Sequence, residues 1–305
     1  MDKIQENLLA EIADLHGVPE GAYNIRSNGV SVQRNCTANI DIETKNDKSG
    51  IDIYIRPGTK NESVHIPVIL DKNGLKEKVY NDFHIGEGAD VVIVAGCGIH
   101  CGGADDMQHD GIHTFYVEKN ARVKYIEKHY GEGDGNGKRV LNPETVIYLA
   151  EGAYMEMEAT QIKGVDSTVR VTKAKVGDNA KLVIHEKIMT HGNQLAKTDF
   201  IVDLDGENSA ANVVSRSVAK DNSKQIFFSN IRGNNKCSGH TECDAIIMDN
   251  ANVSAIPEIV AGNVDASLIH EAAIGKIAGE QLVKLMTLGL TEKQAEEQIV
   301  SGFLR

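Results

Sequence analysis

The spacing of apolar side chains changes twice along the chain. Ile4, Leu8, Ile12 and Leu15 fall near the spacing of an amphipathic helix, and Gly17-Val18-Pro19 supplies its stop. From about Ser31 to Ala261 the chain becomes short apolar or alternating runs separated by Gly, Asn and Asp, the pattern of strands and tight turns. Ile51-Asp52-Ile53-Tyr54-Ile55, Val64-His65-Ile66-Pro67-Val68-Ile69, Val91-Val92-Ile93-Val94 and Thr145-Val146-Ile147-Tyr148-Leu149 are examples. From about Leu268 to Leu288 the spacing turns helical again through Ala273, Ile274, Ile277, Ala278, Leu282, Leu285 and Met286, with Gly289 as a stop. Thr291 and Gln294 then form a capping box for a last helix with Ala295, Ile299 and Phe303 on one stripe. The expected division is a helical segment over 1–30, a β core over 31–263 and a helical segment over 264–305.

Within the β core one short step recurs: a Gly or Asn followed by Ala, opening an apolar run. Its alanines are Ala89, Ala121, Ala153 and Ala180, with a further copy at Ala251. A Gly or Asn admits the positive φ of a sharp corner, and a small Ala fits where the backbone turns inward. Corners at such intervals with no helix between them predict a parallel β-helix, in which stacked rungs bury what a single rung exposes. A β-sandwich shares the short strands and turns; the repeat favours the solenoid. Its open end is an edge that something should cap or pair.

Composition narrows the function. The 305 residues carry 32 Lys and Arg against 44 Asp and Glu, a net charge of −12, which argues against a general nucleic-acid binder. No apolar run approaches the roughly 18 residues that cross a bilayer, and the acidic N-terminus does not read as a secretory signal. A cytoplasmic protein with no membrane partner is expected. Five cysteines, an odd number in a chain of this length, suggest reduced thiols rather than a disulfide framework.

Two clusters could carry chemistry. Cys97, His100 and Cys101, with His109 and His113 behind them, have donor types suited to zinc or an iron–sulfur site, although the spacing matches no defined finger or ferredoxin pattern; a buried Cys is otherwise a small hydrophobe. The second cluster is Cys237, His240, Glu242, Cys243 and Asp244, followed by His270 and Glu271, which would lie one or two rungs away, at the start of the expected helix. A cysteine that accepts sulfur must be reachable as thiolate; the competing reading is a packed thiol and a helix-capping carboxylate. The run Gly131 to Gly137 lacks the Lys-Ser/Thr of a phosphate loop and reads as a flexible insertion. Glu156 and Glu158, alternating with Met155 and Met157, read as a solvated strand face. A β-helix carbohydrate enzyme would want aromatic sugar platforms, and the chain has no Trp.

Ordered blocks in the C-terminal third resemble the SufB/SufD family of iron–sulfur cluster assembly scaffolds: Val214 to Asp221, His240 to Asp249, Ile256 to Ile259, Leu268 to Leu282, and the ending from Leu288 to Phe303. The resemblance implies a mainly β protein, a right-handed parallel β-helix flanked by helices. It also implies a scaffold that receives sulfur from a cysteine desulfurase or other sulfur-transfer donor, receives iron, and holds a transient iron–sulfur cluster. Such a scaffold works with a SufC-like ABC ATPase docked on the C-terminal helices and has no catalytic turnover of its own. Cys243 matches the SufB-like sulfur acceptor and cluster cysteine, His270 the histidine shared by both branches, and Glu271 the acidic residue of the SufB-like branch; Cys243, His270 and Glu271 are the implied metal ligands. Cys97, His100 and Cys101 stand as a second candidate site. One departure is Ile269, where SufB-like proteins have Glu. Because one chain combines these features, a homodimer is expected where the bacterial scaffold pairs SufB with SufD. The family also raises a flavin in electron delivery. The alternative is a structural adaptor that binds and regulates the ATPase without holding a cluster.

Overall fold

The computed structural model describes residues 3–13 and 19–304, so Leu15 and the Gly17-Val18 stop lie outside the described residues. Helix α1 (Lys3–Ala13) comes first. The chain then forms a β-solenoid of about eight turns built from two ten-stranded sheets. The first sheet stacks β1 (Ala22–Ser27), β2 (Val30–Asn35), β5 (Lys60–Leu70), β7 (Asp90–His100), β9 (Arg122–Glu132), β12 (Tyr154–Lys163), β14 (Lys181–Thr190), β16 (Ser209–Ala219), β18 (Cys237–Ile247) and β20 (Ala266–Gly275). The facing sheet holds β3 (Ile40–Thr44), β4 (Gly50–Ile55), β6 (Lys76–Ile85), β8 (Met107–Val117), β10 (Arg139–Leu141), β11 (Glu144–Leu149), β13 (Ser167–Val176), β15 (Leu195–Leu204), β17 (Lys224–Gly233) and β19 (Asn252–Ala261). Pairing is parallel except at the N-terminal end, where β1 with β2 and β3 with β4 run antiparallel.

Strand alternation creates the core. Inward rows such as Val123, Tyr125 on β9 and Met155, Met157 on β12 are buried, while Glu156 and Glu158 face out, as expected of a strand with one wet side. Phe83 and Phe115 stack inside at 4.5 Å between ring centroids. Outside, Tyr54, His84, Tyr116 and Tyr148 form a second ladder at spacings of 4.8, 5.1 and 5.4 Å.

The recurring step marks the corners. Gly88, Asn120, Gly152 and Asn179 have positive φ, and the next residues, Ala89, Ala121, Ala153 and Ala180, are buried just before β7, β9, β12 and β14. The copy at Ala251 follows Asp249, also at positive φ, and opens β19 on the other sheet, so it belongs to the opposite corner. The segment Gly131 to Gly137 is not a loose insertion. Gly135 N donates to Cys101 O at 3.0 Å and Gly137 N to Gly103 O at 3.1 Å, so it stacks on the preceding turn. A Cβ on Gly135 would lie 2.3 Å from Gly103 O, so backbone approach explains that glycine.

Two expectations need correction. β structure begins at Ala22, and the stretch expected to be helical from Leu268 is strand β20 as far as Gly275. Its apolar residues fit either period, and pairing with β18 decides the outcome. Helices α2 (Gly279–Thr287) and α3 (Glu292–Phe303) follow, and α3 begins with the expected Thr291/Gln294 capping box. Val300 and Leu304 pack with Val218, Met189 and Ile246, holding α3 to a solenoid corner. No residue of α2 is buried, and Val283 and Met286 on it are exposed.

Candidate functional site at the open end of the solenoid

The last rung, β19 and β20, has no strand beyond it, and most of its residues are exposed. The candidate residues lie on this rung and the one beneath. Parallel register sets Thr241 against His270, Glu242 against Glu271 and Cys243 against Ala272. Because successive side chains point to opposite faces, Thr241, Cys243 and His270 face the interior, while His240, Glu242 and Glu271 face out. The register therefore divides the expected set of Cys243, His270 and Glu271. Cys243 and His270 are diagonal neighbours on the inner side, and Glu271 stands on the outer one.

Cys243 is 1% exposed. Burial, reinforced by the charges of Glu186 and Asp244, pushes its thiol up to about 12, so at neutral pH it is held as the thiol. His270 Nδ1 lies 2.6 Å from Thr241 Oγ1; burial and then His240 keep the imidazole below its ordinary value. A neutral imidazole beside a thiol at an open end can donate to a soft metal once the thiol ionises.

On the outer face, His240 Nδ1 lies 2.8 Å from Asn212 Oδ1 and Nε2 lies 3.5 Å from Glu271 Oε2. Arg216 Nη2 stands 4.0 Å from Glu242 Oε1. A hydrogen bond with Asp244, then burial, raises the Glu242 carboxyl. One donor atom from each of His240, Glu242 and Glu271 falls within 4.8 Å of the others, the only such group among the described residues.

The second candidate set is not brought together. Cys97 and Cys101 both face inward from β7 and its end, but four residues of extended chain separate them by about 13 Å. His100 faces out, with Nδ1 3.2 Å from Glu132 Oε1. Cys97 instead lines an internal cavity of about 20 Å³ with His109, His113, Glu127 and His129, room for a single water. Cys237 is buried at the start of β18, six residues from Cys243, and Cys36 is exposed.

A buried polar file, missed by reading the sequence for metal ligands, joins this cavity to the region of Cys243. Ser215, the register partner of Cys243, donates to Glu186 Oε2 at 2.7 Å, and Thr198 donates to Glu186 Oε1 at 3.0 Å. Arg170 Nε lies 3.5 Å from Glu186; its Nη1 pairs with Glu127 and its Nη2 donates to His129 Nδ1 at 3.0 Å. Tyr125 donates to Glu127 at 3.0 Å and lies 2.7 Å from His113 Nδ1; Asn81 reaches His113 Nε2 at 3.2 Å. Despite burial, Arg170 holds the Glu127 carboxyl far below the carboxylate range. Burial raises Glu186, against the pull of Arg170, Ser215 and Thr198. Burial lowers His113 to about 4 and His129 to about 3, so both are neutral at physiological pH. The signal was available: Glu127 and Arg170 share inward parity with Val123 and Thr168 on their strands.

Comparison with known proteins adds to the geometry. Residues 78–303 match the family model described as SUF system FeS cluster assembly, SufBD core domain. A relative from Archaeoglobus fulgidus, named an iron–sulfur cluster assembly SufBD family protein, is 32% identical over 263 residues, 85% of this chain and 69% of the relative. One from Methanocaldococcus jannaschii, named in the same way, is 33% identical over 190 residues, 62% of this chain and 60% of the relative. Another, from Pyrococcus horikoshii, is 27% identical over 296 residues, 96% of this chain and 84% of the relative.

Proposed function

Because the chain belongs to the SufBD family of iron–sulfur cluster assembly proteins, we propose that it is the scaffold itself: it accepts sulfur and iron and holds a transient cluster between two copies of the chain. The observation that carries this reading is the inward placement of Cys243 and His270 on the last two rungs, at the end of the solenoid that lacks a cover. A second copy stacked on β19 and β20 would satisfy their unpaired backbone edges and enclose both side chains. In the transfer, the Cys243 thiolate attacks the outer sulfur of a donor persulfide, the donor's S–S bond breaks, and the donor leaves as thiolate. The buried thiol must first be exposed and lose its proton.

Exposure is the work assigned to a SufC-like ABC ATPase docked on α2, whose apolar residues Val283 and Met286 have no cover in the chain itself. The chain carries and assembles without catalytic turnover, and a cysteine desulfurase or another sulfur-transfer donor supplies the sulfur. The cytoplasm is the compartment that suits free thiols. Among the described residues no helix is long and apolar enough to cross a membrane.

The burial of Cys243 supports a second reading, an adaptor that regulates the ATPase without holding a cluster. Anaerobic reconstitution with iron and sulfide, read by absorbance and Mössbauer spectroscopy, separates the two. The scaffold reading expects a cluster in the parent protein that is lost in Cys243→Ser and His270→Ala and kept in Cys97→Ser/Cys101→Ser. A cluster retained in Cys243→Ser, or absent from the parent, refutes it.

A further inference from the structure

The strand that turns Cys243 inward turns Glu242 outward. Glu242 faces Glu271 directly across the β18/β20 register, with Asp244 hydrogen-bonded beside it. Like charges placed opposite one another weaken a sheet. Arg216, 4.0 Å from Glu242, is a partial counterion at best, and Glu271 has its carboxylate largely in water. Into this excess of negative charge His240 brings a nitrogen donor. With Asn212 Oδ1 as acceptor, the Nδ1–H tautomer of His240 presents the lone pair of Nε2 on the side where Glu271 lies. An outer partner that fixes tautomer and ring orientation is characteristic of metal-bound histidine.

We propose that His240, Glu242 and Glu271 form a divalent-metal site for ferrous iron on the outer face of the last two rungs, across the sheet from Cys243. One imidazole and two carboxylates suit Fe²⁺, Mn²⁺ and Co²⁺ better than a soft thiophilic ion. Three protein donors leave the other positions of a six-coordinate ion to water, so the ion exchanges rather than locks in place. A groove of about 380 Å³, lined by Glu156, Glu158, His185, Lys187, Arg216 and Glu242, leads to the site along the same face. Ile269, the register partner of His240, projects beside it with no donor. The site explains why Glu271 stands apart from Cys243 and His270: sulfur is received inside the solenoid and iron outside. Metal binding stands on this geometry alone; the role in supplying iron rests on the assembly reading.

The test titrates Co²⁺ into the purified 305-residue chain, followed by its visible d–d absorption and by calorimetry, with Fe²⁺ dialysis under anaerobic conditions. One Co²⁺ per chain is expected, bound at least about tenfold more weakly in His240→Ala and in Glu271→Gln. Asn212→Ala, which frees the ring without removing a donor, should weaken binding by about tenfold, and Ile269→Glu, which adds a donor, should tighten it. Cys243→Ser and His270→Ala should leave Co²⁺ affinity within about twofold of the parent. Absence of saturable binding overturns the site, as does binding indifferent to His240→Ala or a thiolate-to-cobalt band that disappears in Cys243→Ser. If cobalt binds as expected while no cluster can be reconstituted, the assembly reading falls and the metal site stands.

Discussion

Replacing Arg170 with Met removes the one cation between two buried carboxylates. The guanidinium is 2% exposed and its partners Glu127 and Glu186 are 3% and 1% exposed, so water cannot take its place. Each carboxylate keeps some donors: Tyr125 for Glu127, Thr198 and Ser215 for Glu186. Breaking a buried pair by removing one member costs about 3–5 kcal/mol, most of it from the charge left behind. At a urea slope near about 3 kcal/mol per M, this lowers the unfolding midpoint by about 1 to 1.7 M at pH 7. The pH dependence is diagnostic. In the parent, Glu127 has a depressed folded pKa, so its stabilisation is present above the unfolded carboxylate value and lost below it. In the variant, burial without a cation raises the same group, so the folded state takes up a proton that the unfolded state does not. The gap between parent and variant therefore narrows as pH falls from 7 to 5. The Glu127→Gln/Arg170→Met/Glu186→Gln variant should recover most of the loss at pH 7. A loss at pH 7 below about 1 kcal/mol, or a gap constant between pH 7 and 5, would refute the reasoning that Glu127 is ionised and held by Arg170.

Other consequences are open to measurement. His113 and His129 have folded pKa values near 4 and 3, below the ordinary imidazole value, so the unfolded chain binds their protons first; stability should fall as pH drops below about 6.5, with up to about 2.7 kcal/mol per pH unit from the two together. Urea midpoints between pH 7 and 5 should show this slope, reduced in His113→Gln; an unchanged slope counts against it. At pH 8 a thiol with its pKa near 12 is ionised in about one molecule in 10⁴, so mass-resolved alkylation should label exposed Cys36 far ahead of Cys243, and equal rates would contradict the burial described. Gly96 lies beneath α1, where a Cβ would stand 2.4 Å from Ile12 O. Gly96→Val should displace α1 at a cost of about 1–3 kcal/mol, seen as faster hydrogen exchange in α1 with β12 to β18 unchanged; preserved protection of α1 would sink the prediction.

The solenoid was legible because its corners are chemically demanding. Positive φ at Asn120 or Gly152 followed by a buried Ala leaves a trace at fixed intervals. The extent of the β region was less legible: Ala273, Ile274, Ile277 and Ala278 recur at helical spacing, and only the edge of β18 draws the stretch up to Gly275 into a strand. At the candidate site, the resemblance brought Cys243, His270 and Glu271 together by their closeness in sequence or rung. Parity along a strand separates His270 from Glu271 because they are adjacent, and it unites His240, Glu242 and Glu271, which span two rungs. The internal file escaped notice because Glu127 and Arg170 look like ordinary surface charges until the inward phase of their strands is counted.

The two ends of the solenoid differ in a way that limits how copies can combine. At the N-terminal end the chain reverses into antiparallel pairs, and the outermost strands, β2 and β3, are only six and five residues long. At the other end, ten-residue parallel strands are left without a neighbour. Head-to-tail stacking would join unlike edges and, if repeated, grow into a fibre without end. Like end against like end would instead pair the two open rungs with each other, and a union of that two-fold kind would close at two.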